Sequence, residues 1–147
     1  SYTPDTSIGR DDINFVTIST TGNTTDFGTL STVTFAQQSS SSNPTRALFA
    51  GGYGGAPNTQ NTIQFVTIAT TGNTVDFGDL ANNRKRSQQV PSSTRAVIIG
   101  GGVAPSEGNV TSMEKVEFST TGNSVDFGTL ANGTQAGGYF SNGHGGL

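Results

Sequence analysis

The sequence predicts an all-β protein built from repeated four-stranded antiparallel units. One run occurs three times without gaps, as FVTISTTGNTTDFGTL (residues 15–30), FVTIATTGNTVDFGDL (65–80) and VEFSTTGNSVDFGTL (116–130). Each repeat contains short stretches of β-branched and aromatic residues bounded by Gly, Asn and Pro, which is typical of strands and turns. Gly, Pro or β-branched residues interrupt every window long enough for a helix, so no helix is expected.

The composition is that of a polar chain that nevertheless folds. Of 147 residues, 31% are hydrophobic and 12% are charged, and Gly alone accounts for 21. A typical domain is roughly 45–50% apolar and about 25% charged. Disorder requires apolar residues that are scarce and unpatterned, whereas here they recur at fixed spacing. The length suggests a single repeat domain.

The repeat period sets the predicted boundaries of the units. The TTGN and DFG runs return every 50 residues, and a second block occurs twice, as SSSSNPTRALFAGGYGG (39–55) and VPSSTRAVIIGGG (90–102). A period of about 40–50 residues is that of four-stranded propeller blades. We therefore expect three units per chain, at about 1–35, 36–86 and 87–130, with residues 131–147 forming a C-terminal closing strand.

The first two strands of each unit are predicted from the second block. Residues 36–42 and 87–93 are polar and form a weak first strand. Residues 45–50 and 94–99 are apolar and end in glycine, as the second strand. The glycines that follow are expected to be turns or sites where strands pack closely.

The third and fourth strands are predicted from the first block. Residues 63–70 carry apolar side chains on both faces, which is typical of a strand buried between neighbouring sheets. Residues 75–80 form the fourth strand. Thr71, Gly72 and Asn73 are predicted to make the hairpin turn between the two, because Gly and Asn tolerate positive φ.

The two ends of the sequence predict one blade that is split between them. Residues 2–8 are expected to be a truncated second strand and 13–19 a third strand, while residues 136–142 are expected to be a first strand. Three blades cannot close a ring, because propellers have about 4–8 blades. We expect oligomerisation, most simply a two-fold homodimer of six blades in which residues 136–142 pair in trans. The alternative is a non-propeller stack of sheets docked on other proteins.

The units resemble the degenerate kelch-like repeats of marine phage proteins, especially cyanophage virion proteins. The resemblance covers residues 13–130 and rests on the runs TTGNxxDFGxL and STRxxFxGG and on the glycine pairs beginning at Gly51 and Gly100. It implies a β-propeller and a non-enzymatic structural role in the virion, as a capsid decoration or cement protein or a tail- or vertex-attached component. Other virion proteins would be its partners. The alternative is a module that binds glycans or the host surface.

The repeated residues are expected to be structural. In a kinase Asp-Phe-Gly holds Mg²⁺, but the glycine-rich and HRD loops that accompany it are missing here. The phenylalanines should fill the core between blades, with the following glycine permitting a β-bulge. The aspartates should accept backbone N–H bonds from the turn. These predicted core residues are Phe27, Phe77, Phe127, Asp26, Asp76, Asp126, Gly22, Gly72 and Gly122.

Five further residues each have two candidate roles, one in the architecture and one in binding. Arg46 and Arg95 precede equivalent apolar strands, and we expect each to pair with Asp26 or Asp76 of a neighbouring unit; a binding cluster at the channel mouth is the alternative. Arg84, Lys85 and Arg86 form the only basic run, expected to be a solvated loop and alternatively a docking patch for an acidic partner.

Aromatic residues and the single histidine complete the candidates. Tyr53 and Tyr139 could line a sugar site together with Asn, Gln and Asp residues in the loops. His144 lies in a Gly-rich tail, where it is expected to be structural or exposed.

Composition argues against several classes of function. The chain has no Cys and one His, so we expect no catalytic residues, no metal site and no cofactor. Its net charge of −3 argues against nucleic-acid binding. No run of about 18 apolar residues is present, so no membrane-spanning helix is expected.

Overall fold

The computed structural model describes residues 9–34, 38–54, 59–103 and 108–141, and this part of the chain is all-β, without a helix. The strands are β1 (Arg10–Phe15), β2 (Thr25–Thr34), β3 (Ser39–Ser42), β4 (Arg46–Ala50), β5 (Gln60–Thr67), β6 (Val75–Arg84), β7 (Gln88–Pro91), β8 (Arg95–Ile99), β9 (Gly102–Val103), β10 (Gly108–Asn109), β11 (Ser112–Glu117) and β12 (Val125–Thr129).

Two antiparallel sheets of four strands dominate the fold. One has the order β3-β4-β5-β6 and the other β7-β8-β11-β12, so neighbours in each sheet follow one another along the chain. The short β9–β10 hairpin lies in the connection from β8 to β11. The strands β1 and β2 form a separate antiparallel pair. The predicted all-β class and the antiparallel four-stranded sheets are thus confirmed.

The predicted strand positions agree with the structure more closely at the second strand than elsewhere. Strands β4 and β8 each begin one residue later than predicted. The third strand, β5, lies three residues earlier than predicted, and the fourth, β6, extends four residues further. The hydrogen bonds of Gly51 N to Thr62 O and of Gly52 N to Arg84 O reach these extra residues. Such long-range pairing leaves no trace in the local hydrophobic pattern.

Each DFG run contains a β-bulge, as predicted. On β6, Ile63 pairs with Gly78 and Gln64 pairs with Asp76, so that Phe77 is the extra residue. The same register shift occurs in the β1–β2 and β11–β12 pairs. The bulge re-aims the phenylalanine relative to its neighbours in the strand.

The hydrophobic core lies between the two four-stranded sheets. Phe77 of β6 belongs to the same buried cluster as Phe118 and Val116, which come from the next sheet. Leu48 and Ile98, from the second strand of each sheet, are also fully buried in it. The sheets therefore pack face to face, with β4, β5 and β6 of the first sheet facing β8, β11 and Phe118 of the next unit.

The predicted first strand at residues 136–142 is wrong for the described part, since residues 136–141 form no strand. Arg86 and Ala136, 50 residues apart, share an unusual positive φ of 57° and 52°. The tail therefore repeats the backbone turn that leads into β7. Ala136 N donates to Arg86 O (2.9 Å) and Ser141 Oγ donates to Pro91 O (2.6 Å), so the tail lies beside β7. No other strand of the described part pairs with it there.

Some predictions fall outside the described residues. These are the strand at 2–8, the first part of the strand at 36–42, Asn142 and His144. In the described part of the chain, no helix is long and apolar enough to cross a membrane.

Candidate functional site: the contacts between repeat units

The TTGN turn of one unit binds the DFG strand of the preceding unit. Gly72 N donates to Phe27 O (2.7 Å), and Thr74 N donates to Thr29 O (2.9 Å). The next pair of units repeats this geometry, with Gly122 N donating to Phe77 O (2.7 Å) and Ser124 N to Asp79 O (2.9 Å). We call this arrangement the latch.

An asparagine side chain completes each latch. Asn73 Oδ1 accepts from Thr29 N (3.1 Å), and Asn123 Oδ1 accepts from Asp79 N (3.0 Å). The turn thus satisfies both the donor and the acceptor of the strand residue that it faces. Because the N–H and C=O groups of these strand residues are hydrogen-bonded, they no longer require water. The latch can therefore close the contact between one sheet and the next.

The receiving glycine is required by the closeness of the two backbones. A Cβ atom on Gly28 would lie 2.2 Å from Gly72 O, and one on Gly78 would lie 2.4 Å from Gly122 O. Both glycines have positive φ, 152° and 145°. Only glycine fits a site that combines this backbone conformation with such a close approach.

A second polar contact lies behind each latch. Gln64 is fully buried, and its Oε1 accepts from Ser31 N (2.8 Å) and from Thr74 Oγ1. At the equivalent position 50 residues later, Glu114 Oε2 accepts from Ala81 N (3.0 Å) and from Ser124 Oγ. The two interfaces therefore use the same geometry with a neutral acceptor in one and a carboxylate in the other.

The carboxylate interface also holds a buried ion pair. Arg84 Nη2 binds Glu114 Oε1, with both side chains buried. Arg84 also donates to Gly100 O (3.3 Å) and Ser112 Oγ (3.1 Å), while its Nε has no partner among the described residues. Desolvation by burial lowers the pKa of Arg84. Because an arginine pKa starts so high, the guanidinium stays charged and needs Glu114 beside it.

The basic run is not the solvated loop that the sequence predicts. Arg84 and Lys85 are buried, and Arg86 is half-buried. Lys85 Nζ lies 4.7 Å from the centre of the Tyr53 ring, and Arg86 Nη1 donates to Gln135 Oε1 (3.2 Å). The charge and local polarity of the run predicted that it is exposed. Glu114, 30 residues away in sequence, allows Arg84 to be buried because it supplies the opposite charge.

The predicted Arg–Asp pairs are also wrong. Arg46 Nη1 donates to Phe118 O of the following unit, and its guanidinium lies 4.6 Å from the centre of the Phe65 ring. Arg95 Nε lies 3.5 Å from Glu117 Oε1, in an exposed pair. Arg46 joins two units through a backbone carbonyl, and Arg95 stays within its own unit.

The repeated aspartates and the turn glycines differ from their predicted roles. Asp26, Asp76 and Asp126 are exposed, and their carboxylates accept no hydrogen bond from the described residues. Asn73 and Asn123 bind the backbone instead. Asn73 does not have positive φ, nor do Gly22 and Gly72; Gly122 does. The turn is defined by what it contacts rather than by left-handed backbone.

The three phenylalanines are not equivalent. Phe77 is buried, Phe27 is half-buried and Phe127 is exposed. Phe27 packs edge to face against Phe15, with ring centres 6.1 Å apart, and Phe77 packs likewise against Phe65 at 5.8 Å. The prediction of a buried ring in every unit is therefore wrong for Phe127, on the outer strand of its sheet.

The tyrosines take part in contacts within the chain. Tyr53 forms an isolated bridge with Thr59 and supports Lys85. Tyr139 OH and Thr134 Oγ1 are hydrogen-bonded (2.6 Å). No sugar-stacking pair of exposed rings is formed by these two residues.

A polar cleft of about 400 Å³ lies between the second and third units. Asn43 and Arg46 line it, together with Phe118, whose ring is buried. Asn43 Oδ1 already accepts from Thr45 N (3.0 Å) and Arg46 N (2.8 Å), so these groups hold the loop in place. Among the described residues, no group of three His, Cys, Asp or Glu side chains could hold a metal ion.

Sequence reasoning missed the residues that join the units. Asn73 was predicted only as a turn residue, and Asn123, Gln64 and Glu114 were not singled out, although the asparagines recur in every TTGN run. Repetition of Asn at a 50-residue spacing was the available signal. Gln64 and Glu114 differ in type, so only their equivalent positions could have indicated a shared role.

No protein-family model matches this chain, and no curated protein shows significant similarity to it.

Proposed function

We propose that the chain is a non-enzymatic structural protein of a virion, used as a capsid decoration or cement protein or as a tail- or vertex-attached component. The observation that carries this proposal is the use of the repeated polar side chains. Asn73 and Asn123 bind the neighbouring unit, and Arg84 and Glu114 bind each other. These side chains are thus engaged in holding sheets together.

The proposed architecture is a propeller-like array of blades. Successive four-stranded sheets pack face to face, and the latch repeats between successive units. The resemblance of the TTGN and DFG runs to phage repeats supports the assignment to a virus particle. Completion of the ring by a second copy, and docking on other virion proteins, belong to the same proposal.

The proposal is tested by measuring the copy number of the chain in purified virus particles by quantitative mass spectrometry. A copy number comparable with that of the major shell protein indicates decoration, and a few copies indicate a tail or vertex fitting. Complete absence from washed particles would overturn the virion assignment. Antibody labelling in electron micrographs then gives the position on the particle.

A calorimetric titration of the full chain with purified host-surface polysaccharide separates this role from glycan binding. We expect no saturable heat, because the groups lining the polar cleft are engaged in contacts within the chain. Saturable binding that is lost in Arg46→Ala, but kept in Arg95→Ala, would favour the glycan-binding function instead.

A further inference from the structure

The two internal interfaces show what covers a DFG strand. In both, the strand receives the backbone and the asparagine of the next unit's turn. In the second interface Phe77 is also covered by apolar side chains of the next unit, Val116 and Phe118, which lie in its buried cluster. A DFG strand is therefore a surface with a defined complementary partner.

Among the residues that the structure describes, the DFG strand of the third unit has no such partner. Strand β12 is the outer strand of its sheet in the described part of the chain. A Cβ atom on Gly128 would meet only Met113 Cε at 3.4 Å, although Gly128 keeps the positive φ (144°) of the occupied glycines. Phe127 is 48% exposed, compared with 2% for Phe77. We call Phe127, Gly128, Thr129 and Leu130 the tail face.

The first unit presents the complementary surface. Val16 is 52% exposed and Ile18 is 96% exposed, whereas Val116 and Phe118, at the equivalent positions of the third unit, are 4% and 1% exposed. Residues 22–24 read Gly-Asn-Thr, as residues 72–74 do, and Thr24 is exposed whereas Thr74 is half-buried. We call Val16, Ile18 and residues 22–24 the head face.

We propose that the head face of one copy docks on the tail face of a second copy through the same latch. Gly22 N would donate to Phe127 O, and Thr24 N to Thr129 O. Asn23 Oδ1 would accept from Thr129 N. The side chains of Val16 and Ile18 would cover Phe127, as Val116 and Phe118 cover Phe77.

The residues behind the latch also fit a second copy. The position of Gln64 and Glu114 is Asn14 on the head side, and the position of Thr34 and Arg84 is Thr134 on the tail side. Docking therefore follows the neutral interface between the first and second units. Because Thr134 takes the position of Arg84, the contact buries no arginine at this point. An arginine buried there without an acid beside it would be costly.

The contact joins two different surfaces, so it is heterologous. This property gives a test that does not depend on whether the copies close a ring. Ile18→Asp blocks the head face and leaves the tail face intact, and Phe127→Asp does the reverse. A matched control is Val75→Asp, since Val75 is 57% exposed even with both neighbouring units present.

The experiment measures the mass of the full chain by light scattering and sedimentation over a range of concentrations. We expect the unmodified chain and Val75→Asp to associate, and Ile18→Asp and Phe127→Asp each to remain monomeric. An equimolar mixture of the two blocked variants should form a one-to-one complex, because one intact head face and one intact tail face remain.

A second variant tests the latch without introducing a charge. Asn23→Ala removes one hydrogen bond of the exposed turn and should weaken association by roughly 3–10-fold. Circular dichroism of every variant establishes that it is folded. If Ile18→Asp or Phe127→Asp proves unfolded, the association of Asn23→Ala decides the test instead.

The proposal is overturned if the unmodified chain is a monomer at all concentrations, which would leave the tail face to a different protein. It is also overturned if folded Ile18→Asp and Phe127→Asp still associate, or if their mixture forms no complex. The inference rests on the proposed completion of the ring by a second copy and specifies its contact. Its failure is distinguishable from that of the virion role, because association in solution and copy number in particles are measured separately.

Discussion

At the residue scale, the three DFG phenylalanines differ by what the next unit supplies. Phe77 is closed in by the following sheet, and Phe127 has no following sheet in the described part of the chain. We expect Phe77→Ala to cost about 3–5 kcal/mol of unfolding free energy, because a buried ring leaves a cavity. Phe127→Ala should cost less than about 1 kcal/mol in the monomer. Denaturant unfolding of both variants checks this.

Equal losses in the two phenylalanine variants would contradict this difference in burial. A loss below about 1 kcal/mol for Phe77→Ala would show that its ring is not part of a packed core. The comparison is made at a concentration at which both variants are monomeric, so that self-association does not contribute.

The buried ion pair gives a second prediction at this scale. Glu114→Gln should cost about 3–5 kcal/mol, because it leaves the guanidinium of Arg84 buried without a counter-charge. Glu117→Gln, on the same strand, should cost less than about 1 kcal/mol, since its pair with Arg95 is exposed. Thermal and urea unfolding of the two variants measure the difference.

A double variant tells whether the charge itself is needed. The first interface has Thr34 and Gln64 where the second has Arg84 and Glu114. Arg84→Thr combined with Glu114→Gln should recover part of the stability that Glu114→Gln loses, as expected for coupled neighbours. Additive losses would show that the two side chains do not act as a pair.

At the element scale, the latch predicts different roles for two glycines that both recur in the sequence. Gly78 receives the next turn, with positive φ and with Gly122 O close to where a Cβ atom would lie. Gly78→Ala should therefore cost at least about 2 kcal/mol. Gly72 has open space and no positive φ. Gly72→Ala should change stability by less than about 1 kcal/mol, as measured by urea unfolding.

If Gly72→Ala proves as damaging as Gly78→Ala, the turn has a conformational requirement that the latch does not explain. If both are neutral, the two backbones are not as close as described. Repetition alone could not distinguish these glycines, because both return every 50 residues.

The strands themselves were predictable to different degrees for a physical reason. β4 and β8 are short apolar runs bounded by Arg and Gly, so local pattern nearly determines their limits. β6 continues through polar residues to Arg84, because Arg84 is paired with Glu114 of another sheet. The latch was likewise hidden, since its hydrogen bonds join residues more than 40 positions apart.

At the scale of the whole molecule, the tail shows both what repetition predicts and where it fails. Ala136 reproduces the positive φ of Arg86, 50 residues earlier. The strand predicted after this turn is missing in residues 136–141, because a strand requires a neighbour with which to pair. A repeat therefore predicts position more reliably than pairing.

The tail also gives the last prediction. Deleting residues 135–147 removes the hydrogen bonds from Ala136 N to Arg86 O and from Ser141 Oγ to Pro91 O, and uncovers the side of β7. We expect lower thermal stability, because β7 loses both hydrogen bonds. Loss of the oligomer as well would show that the tail pairs with another copy, whereas the latch needs only residues that the deletion leaves in place. Light scattering and thermal unfolding of full-length and truncated protein measure both effects.

The matched control for this deletion removes only residues 142–147 and keeps the contacts of Ala136 and Ser141. Because this form keeps both hydrogen bonds to Arg86 and Pro91, it separates the effect of these contacts from that of shortening the chain. A full-length protein that is a stable monomer would contradict pairing in trans. Retention of the oligomeric mass in the form that lacks residues 135–147 would also contradict pairing in trans through the tail. The copies would then associate through the latch alone.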